Sequence, residues 1–256
     1  KVIVNESRFE NNYNPHWSGG TLRVENIAKS VLIRKTHFVN GSAYIGGAIL
    51  CSRVPVVELK DCIVEGNVAM AHGGAIYLDY APVSSIDMTA VRTTFSNCSF
   101  RRNQASAKGG AIYTNFGVIQ LHQSRFFNNY ADFGVSFCCY CGVLSLNDQS
   151  SLEMTDCTLI GNRGLYGGVV YEFGGDNALK SINHSLFFQN VATIQGGALY
   201  LNSDNWLIHN STFLNHTAHD SGGHFSRHNS YIQHILYISM YTHVHAFEQK
   251  KKNIQT

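Results

Sequence analysis

Apolar residues recur along this chain in fixed company. Phe9, Phe38, Val64, Phe100, Phe126, Leu159, Phe187 and Phe213 act as anchors, separated by 29, 26, 36, 26, 33, 28 and 26 residues. Five positions before them stand Val4, Ile33, Leu59, Phe95, Leu121, Met154, Ile182 and Ile208, all apolar. Two positions before stand Ser7, Thr36, Cys62, Cys98, Ser124, Cys157, Ser185 and Ser211, all small. Three positions after the anchor the chain places Asn12, Gly41, Asn67, Asn103, Asn129, Asn162, Asn190 and His216. A glycine step follows, usually a pair such as Gly46-Gly47, Gly73-Gly74 or Gly109-Gly110, with one repeat reduced to Gly134. Two residues past the pair comes a further apolar series: Leu22, Ile49, Ile76, Ile112, Phe137, Val170, Leu199 and Phe225.

These series read as strands and bends. Side chains alternate across a strand, so the anchor and the small residue two positions before it share one face, and an apolar anchor in every unit turns that face into a common core. Asn tolerates a left-handed backbone and bonds locally, which suits a bend after the anchor. The glycine pair permits a second bend closed to other residues, and the β-branched and aromatic residues beyond it restart a strand. A helical solenoid fails on the glycine pairs and on the missing 3.6-residue period, and the spacing differs from leucine-rich repeats. The pattern therefore predicts an all-β chain, a single right-handed parallel β-helix of about eight coils over residues 1–228. At about 4.8 Å per coil the rod is roughly 40 Å long. Two coils, at 36 and 33 residues, are much longer than the shortest, and the surplus is expected as loops at 79–92 and 140–150. Residues 229–256 read as a degenerate coil or cap ending in a basic tail, Lys250–Lys252.

Composition narrows the function. Charged residues make up 14% and the net charge is +2, which gives no general electrostatic case for nucleic acid or a membrane surface. No run reaches the roughly 18–20 apolar residues of a membrane-spanning helix. The sequence starts at Lys1 inside a repeat, with no signal peptide, so a fragment or processed chain is expected, with any membrane attachment supplied by parts outside it.

Phe100-Arg101-Arg102-Asn103 followed by Gly109-Gly110-Ala111-Ile112 resembles the paired FxxN and GGAI motifs of the chlamydial polymorphic membrane proteins. Gly46-Gly47-Ala48-Ile49 and Gly73-Gly74-Ala75-Ile76 repeat the second motif, and Phe9-Glu10-Asn11-Asn12 and Phe187-Phe188-Gln189-Asn190 the first. The resemblance runs from about Val2 to Arg227. It implies an extracellular or outer-membrane β-helix passenger that acts as an adhesin on a host-cell or matrix protein or glycan.

Candidate sites follow from the ladders. Tyr77, Tyr113, Tyr171 and Tyr200 share one outward position, where an exposed aromatic strip could stack on sugars or anchor a protein; rings covering one another explain the same positions. Cys62 and Cys98 fill equivalent inward slots in neighbouring coils, within disulfide reach, although a stack of buried thiols fits as well. Asn5, Asn40, Asn97, Asn183, Asn210 and Asn215 head Asn-x-Ser/Thr sequons, acceptors for glycosylation if the source is eukaryotic and secretory. Cys138, Cys139 and Cys141 lack a second half at zinc spacing, and the histidines clustered from His209 to His245 show no paired-ligand spacing, so neither metal nor cofactor is expected. The alternative is a polysaccharide-active enzyme, which would need paired carboxylates. Asp61 and Asp156 lie three coils apart, and the motifs of polygalacturonases are missing, so no catalytic residue is assigned. An open N-terminal coil, residues 1–12, is expected to favour end-to-end self-association.

Overall fold

The structure, a computed structural model, describes residues 1–14, 16–26, 29–80, 91–131, 141–173, 178–203, 205–220, 222–223 and 225–227. Every described element is a strand, and the strands pair in parallel into three sheets. The chain is a parallel β-helix. A central sheet stacks eight three-residue strands, from Arg8–Glu10 to Thr212–Leu214, and a narrow sheet stacks eight short ones, from Tyr13–Asn14 to Thr217–Ala218. The third, a 14-stranded sheet, carries two rows of strands, one just after the glycine step and one before the anchor. In two middle coils these rows fuse into the continuous strands Ile112–His122 and Leu144–Thr155.

The anchors stack in register, Phe9 on Phe38, then Val64, Phe100, Phe126, Leu159, Phe187 and Phe213. Rings that become neighbours lie face to face, Phe100 on Phe126 at 4.9 Å and Phe187 on Phe213 at 4.3 Å between centroids. Stacked aromatics add to the burial that holds coils together. Interior coils bury these positions completely, whereas Val2, Val4, Phe9 and Leu22 of the first coil are only partly covered.

Each bend has a hydrogen-bonding cause. The residue three before the anchor has positive φ in all eight coils: Glu6, Lys35, Asp61, Asn97, Gln123, Asp156, His184 and Asn210. The small residue just after it closes the bend by donating to the carbonyl two residues back, as in Thr36 to Arg34, Cys98 to Ser96 and Ser124 to His122. A short side chain with a donor is therefore required, and Ser, Thr and Cys all qualify. The second bend differs from expectation. Positive φ belongs to the residue before the Asn, namely Asn11, Asn40, Gly66, Arg102, Asn128, Gly161, Gln189 and Asn215. The Asn itself points inward. Asn67, Asn103, Asn129, Asn162 and Asn190 are fully buried, and each amide oxygen accepts from the preceding coil while the amide nitrogens of the first four reach onward, 3.0 Å from Asn67 to Asn103 and 2.9 Å from Asn162 to Asn190. The same nitrogens donate to an anchor carbonyl one coil back, Asn103 to Val64 and Asn129 to Phe100. Buried amides are tolerated because each group is matched.

The second glycine of each pair is the stricter one. A Cβ on Gly74 would lie 2.0 Å from the carbonyl oxygen of Gly110, and one on Gly110 would lie 2.4 Å from that of Gly142. This contact corrects the sequence reading of the short repeat. Cys141-Gly142, not Gly134, occupies the glycine step, and Leu144, not Phe137, continues the apolar ladder between Ile112 and Val170. The loop expected at 140–150 is misplaced for the same reason: 144–155 is strand with one bulge, and nine residues, 132–140, separate Ala131 from Cys141 where three separate Ala105 from Gly109. Of the other loop, expected at 79–92, residues 81–90 lie outside the described residues, as do the C-terminal cap and basic tail.

Candidate binding flank

Alternation puts the residues on either side of each anchor on the outer face of the central sheet. Preceding the anchors are Arg8, His37, Ile63, Ser99, Arg125, Thr158, Leu186 and Thr212; following them are Glu10, Val39, Glu65, Arg101, Phe127, Ile160, Phe188 and Leu214. All are half-buried or exposed. Arginine, glutamate and histidine occur in these columns in the first five coils, and threonine and apolar side chains fill the last three.

A trough of about 620 Å³ opens in the charged half. Coil three contributes Ile63, Glu65 and Gly66, flanked by Arg8 and His37 of the first two coils and by Arg101 and Arg102 of the fourth. Its apolar lining is Val39 and Ile63. Three guanidinium groups and one carboxylate, Glu65, line it. Glu65 is bonded by Arg102 and lies 3.9 Å from Arg101 Nε, which has no hydrogen-bond partner among the described residues. Arg8 Nε donates to Glu10 at 2.9 Å and its Nη1 contacts His37 Nδ1 at 3.3 Å. Since a guanidinium only donates, that contact requires Nδ1 to accept, which sets His37 in the tautomer carrying its proton on Nε2.

The residues singled out from sequence lie elsewhere. The tyrosines do share one position, but they are not an exposed strip: Tyr113, Tyr171 and Tyr200 are only 6–7% exposed and Tyr77 is half-buried. Tyr77 stacks on Tyr113 at 5.0 Å and Tyr171 on Tyr200 at 5.2 Å, with His72 laid against the first pair and Tyr166 against the second. Leu50 and Ser145 interrupt the column. Cys62 and Cys98 are free thiols rather than a disulfide, because each sulfur is directed at backbone carbonyls of the bend it closes. Cys51, Cys141 and Cys157 are also free and buried; burial pushes the first two up to about 12 and the third to about 11. Cys138 and Cys139 lie outside the described residues.

Five of the sequon asparagines, Asn5, Asn40, Asn97, Asn210 and Asn215, are exposed, and Asn183 is half-buried. Asn40, Asn97, Asn210 and Asn215 sit at positive-φ corners. Asp61 and Asp156 hold one corner column, where Asp61 accepts from Asn97 at 2.8 Å. His216 stands in for Asn at the end of the amide ladder, accepting from the Asn190 N–H at 3.0 Å.

Two features escaped the sequence reading. Glu172 and Lys180, 2% and 1% exposed, form a buried ion pair at 2.7 Å. The carboxylate also accepts from the backbone of Asn202 and Ser203 and from Trp206 Nε1. The trough was missed as well. Its signal was present in the doubled arginine of Phe100-Arg101-Arg102-Asn103, whose two side chains fall on an outward column and an outward corner.

Residues 97–115 match the family model described as the Chlamydia polymorphic membrane protein repeat. No curated protein and no solved structure matches the chain. The matched segment begins at the positive-φ corner Asn97, crosses the anchor Phe100 and the ladder residue Asn103, and ends past Gly109-Gly110 on the restarted strand. It lies within one coil, and it holds both motifs that recur through the rod.

Proposed function

We propose that the chain is a surface-displayed, non-catalytic binding module: a β-helix passenger that holds a host-cell or matrix partner along its flank. The observation that carries this reading is the repeat match at 97–115, because its motif positions are the ones that build every coil. A rod made this way presents parallel outward columns whose residues are free to vary while the inner ladders stay fixed, which is the arrangement of an extended recognition surface. Binding is assigned to the central flank. The tyrosine column is too well covered to serve as the main contact.

The test is incubation of the folded chain with a panel of polysaccharides and fixed cells, scoring retention and the appearance of new chain ends. Retention without new ends is expected. Release of new ends would overturn the non-catalytic reading.

A further inference from the structure

We propose that the trough on the first four coils binds the anionic groups of a sugar polymer, carboxylate or sulfate. This rests on the rod being a binding module and names the ligand chemistry of that module. Arg8 and Arg101 are three coils apart along the axis, about 14 Å, so the site offers cations at two stations rather than at one point. A linear polymer with a repeating charge meets both. Guanidinium groups bind carboxylate and sulfate oxygens through paired donors, and the Arg101 and Arg102 side chains, 41% and 70% exposed, present such donors to solvent.

The apolar lining decides between partner classes. Val39 and Ile63 are aliphatic, and the trough has no Tyr, Trp or Phe on which a neutral sugar would stack. An acidic peptide is the other anionic partner, but peptides gain much of their affinity by adding a strand to a sheet edge. Here the central strands are already paired on both sides, from coil to coil. Only side chains remain for recognition, and they recognise charge.

Glu65 sets the sign of the decisive variant. Its single carboxylate faces both Arg101 and Arg102 and offsets part of their charge, so an incoming anion competes with it. Binding to immobilised heparin, polygalacturonate and polyglutamate would be measured on the folded chain at about 50 mM and about 500 mM NaCl, which spans weak to strong screening. The expected result is retention on at least one sugar polymer, the sulfated and uronate arms showing which anion is preferred, with loss at high salt. R101Q/R102Q should weaken it at least ~10-fold. Glu65→Gln should tighten it, about 3-fold or more, an effect that a merely structural role for Glu65 would not produce. Arg23→Gln, remote from the trough and paired with Glu25, should change nothing.

Polyglutamate bound as tightly as the sugars would overturn the proposal in favour of an acidic peptide. So would unchanged affinity in the double arginine variant, or weaker binding in Glu65→Gln. Retention on cells or neutral glycans alone would sink this inference and leave the binding-module reading standing. Retention on nothing would end both.

Discussion

The buried pair Glu172–Lys180 makes a sharp energetic test, because both residues interrupt otherwise uncharged inner ladders. Glu172 follows Val24, Cys51, Leu78, Thr114 and Leu146 in one column, and Lys180 lies between Leu152 and Trp206 in another. Removing the ammonium alone, in Lys180→Met, strands a buried carboxylate, which costs about 3–5 kcal/mol in comparable pairs. The carboxylate keeps its donors from Asn202, Ser203 and Trp206, so the lower end, about 3 kcal/mol, is expected here. Making the acid neutral as well, in E172Q/K180M, retains an acceptor for those donors and removes the orphan charge. The double variant should recover to within about 1–2 kcal/mol of the parent. The apolar pair E172L/K180L looks natural beside Leu146 and Leu152, yet it leaves four donors unmatched, the Asn202 and Ser203 N–H groups, the Ser203 hydroxyl and Trp206 Nε1, at about 1 kcal/mol or more each, so it should be worse than Gln/Met. Stability would be read from urea unfolding in a Trp17→Phe background. Trp206, 4% exposed and bonded to Glu172, is then the sole fluorophore among the two tryptophans and reports this coil. A Gln/Met variant as unstable as Lys180→Met would refute the argument, since charge isolation would not then be the cost.

Three further outcomes follow from the same geometry. Asn129→Ala should cost about 2–4 kcal/mol, because it removes a link of the amide ladder and leaves the Phe100 carbonyl and the Asn103 N–H without their present partners; Asn12→Ala, which loses only a bond to Thr21, should cost under about 1 kcal/mol, and equal urea midpoints for the two would contradict the ladder's role. Burial, aided by Lys108, holds His72 down at about 4 from 6.5, so its contribution to stability is complete above pH 6.5 and fades as pH falls toward 4; thermal melts against pH should lose that slope in His72→Gln. The first coil leaves Ile3 63% and Tyr13 73% exposed beside half-covered Val2 and Val4, so the isolated chain should associate end to end, with sedimentation coefficients rising with concentration and falling back in Val4→Lys; a strict monomer at high concentration would contradict this.

The fold was legible because its determinants repeat. Eight anchors, eight bend-closing Ser, Thr or Cys residues and the glycine steps all answer to the same local geometry, so each coil confirms the others. The errors arose where one coil departed from the rule. With Cys141 in place of a first glycine the step shows no glycine pair, so the sequence pattern favours Gly134 and puts the surplus residues on the wrong side of the step. Only the close approach of Gly110 to Gly142, a contact between coils, settles that register. The Asn column was likewise placed at the correct position with the wrong duty, since sequence shows a bend-forming residue but not which neighbour carries the positive φ. The tyrosine strip failed for a related reason. Its period was right, and its cover was invisible, because His72 and Tyr166 come from before the glycine step rather than from the strand itself.

The site was harder to see than the fold for a reason built into the architecture. Inner positions are tied to their neighbours above and below, so they must agree from coil to coil and leave a periodic trace. Outer positions answer only to solvent and ligand. Arg8, Glu65 and Arg101 each differ from the residues stacked next to them, and nothing in a search for repeats marks such a set. Two charged columns interrupted by a short side chain at Ile63 form a concavity only once the coils are stacked. Function in a solenoid of this kind is therefore written in departures from the repeat along its outer columns, and Glu172–Lys180 shows that an inward departure instead serves the loops that join the coils, binding Asn202 and Ser203 to the core.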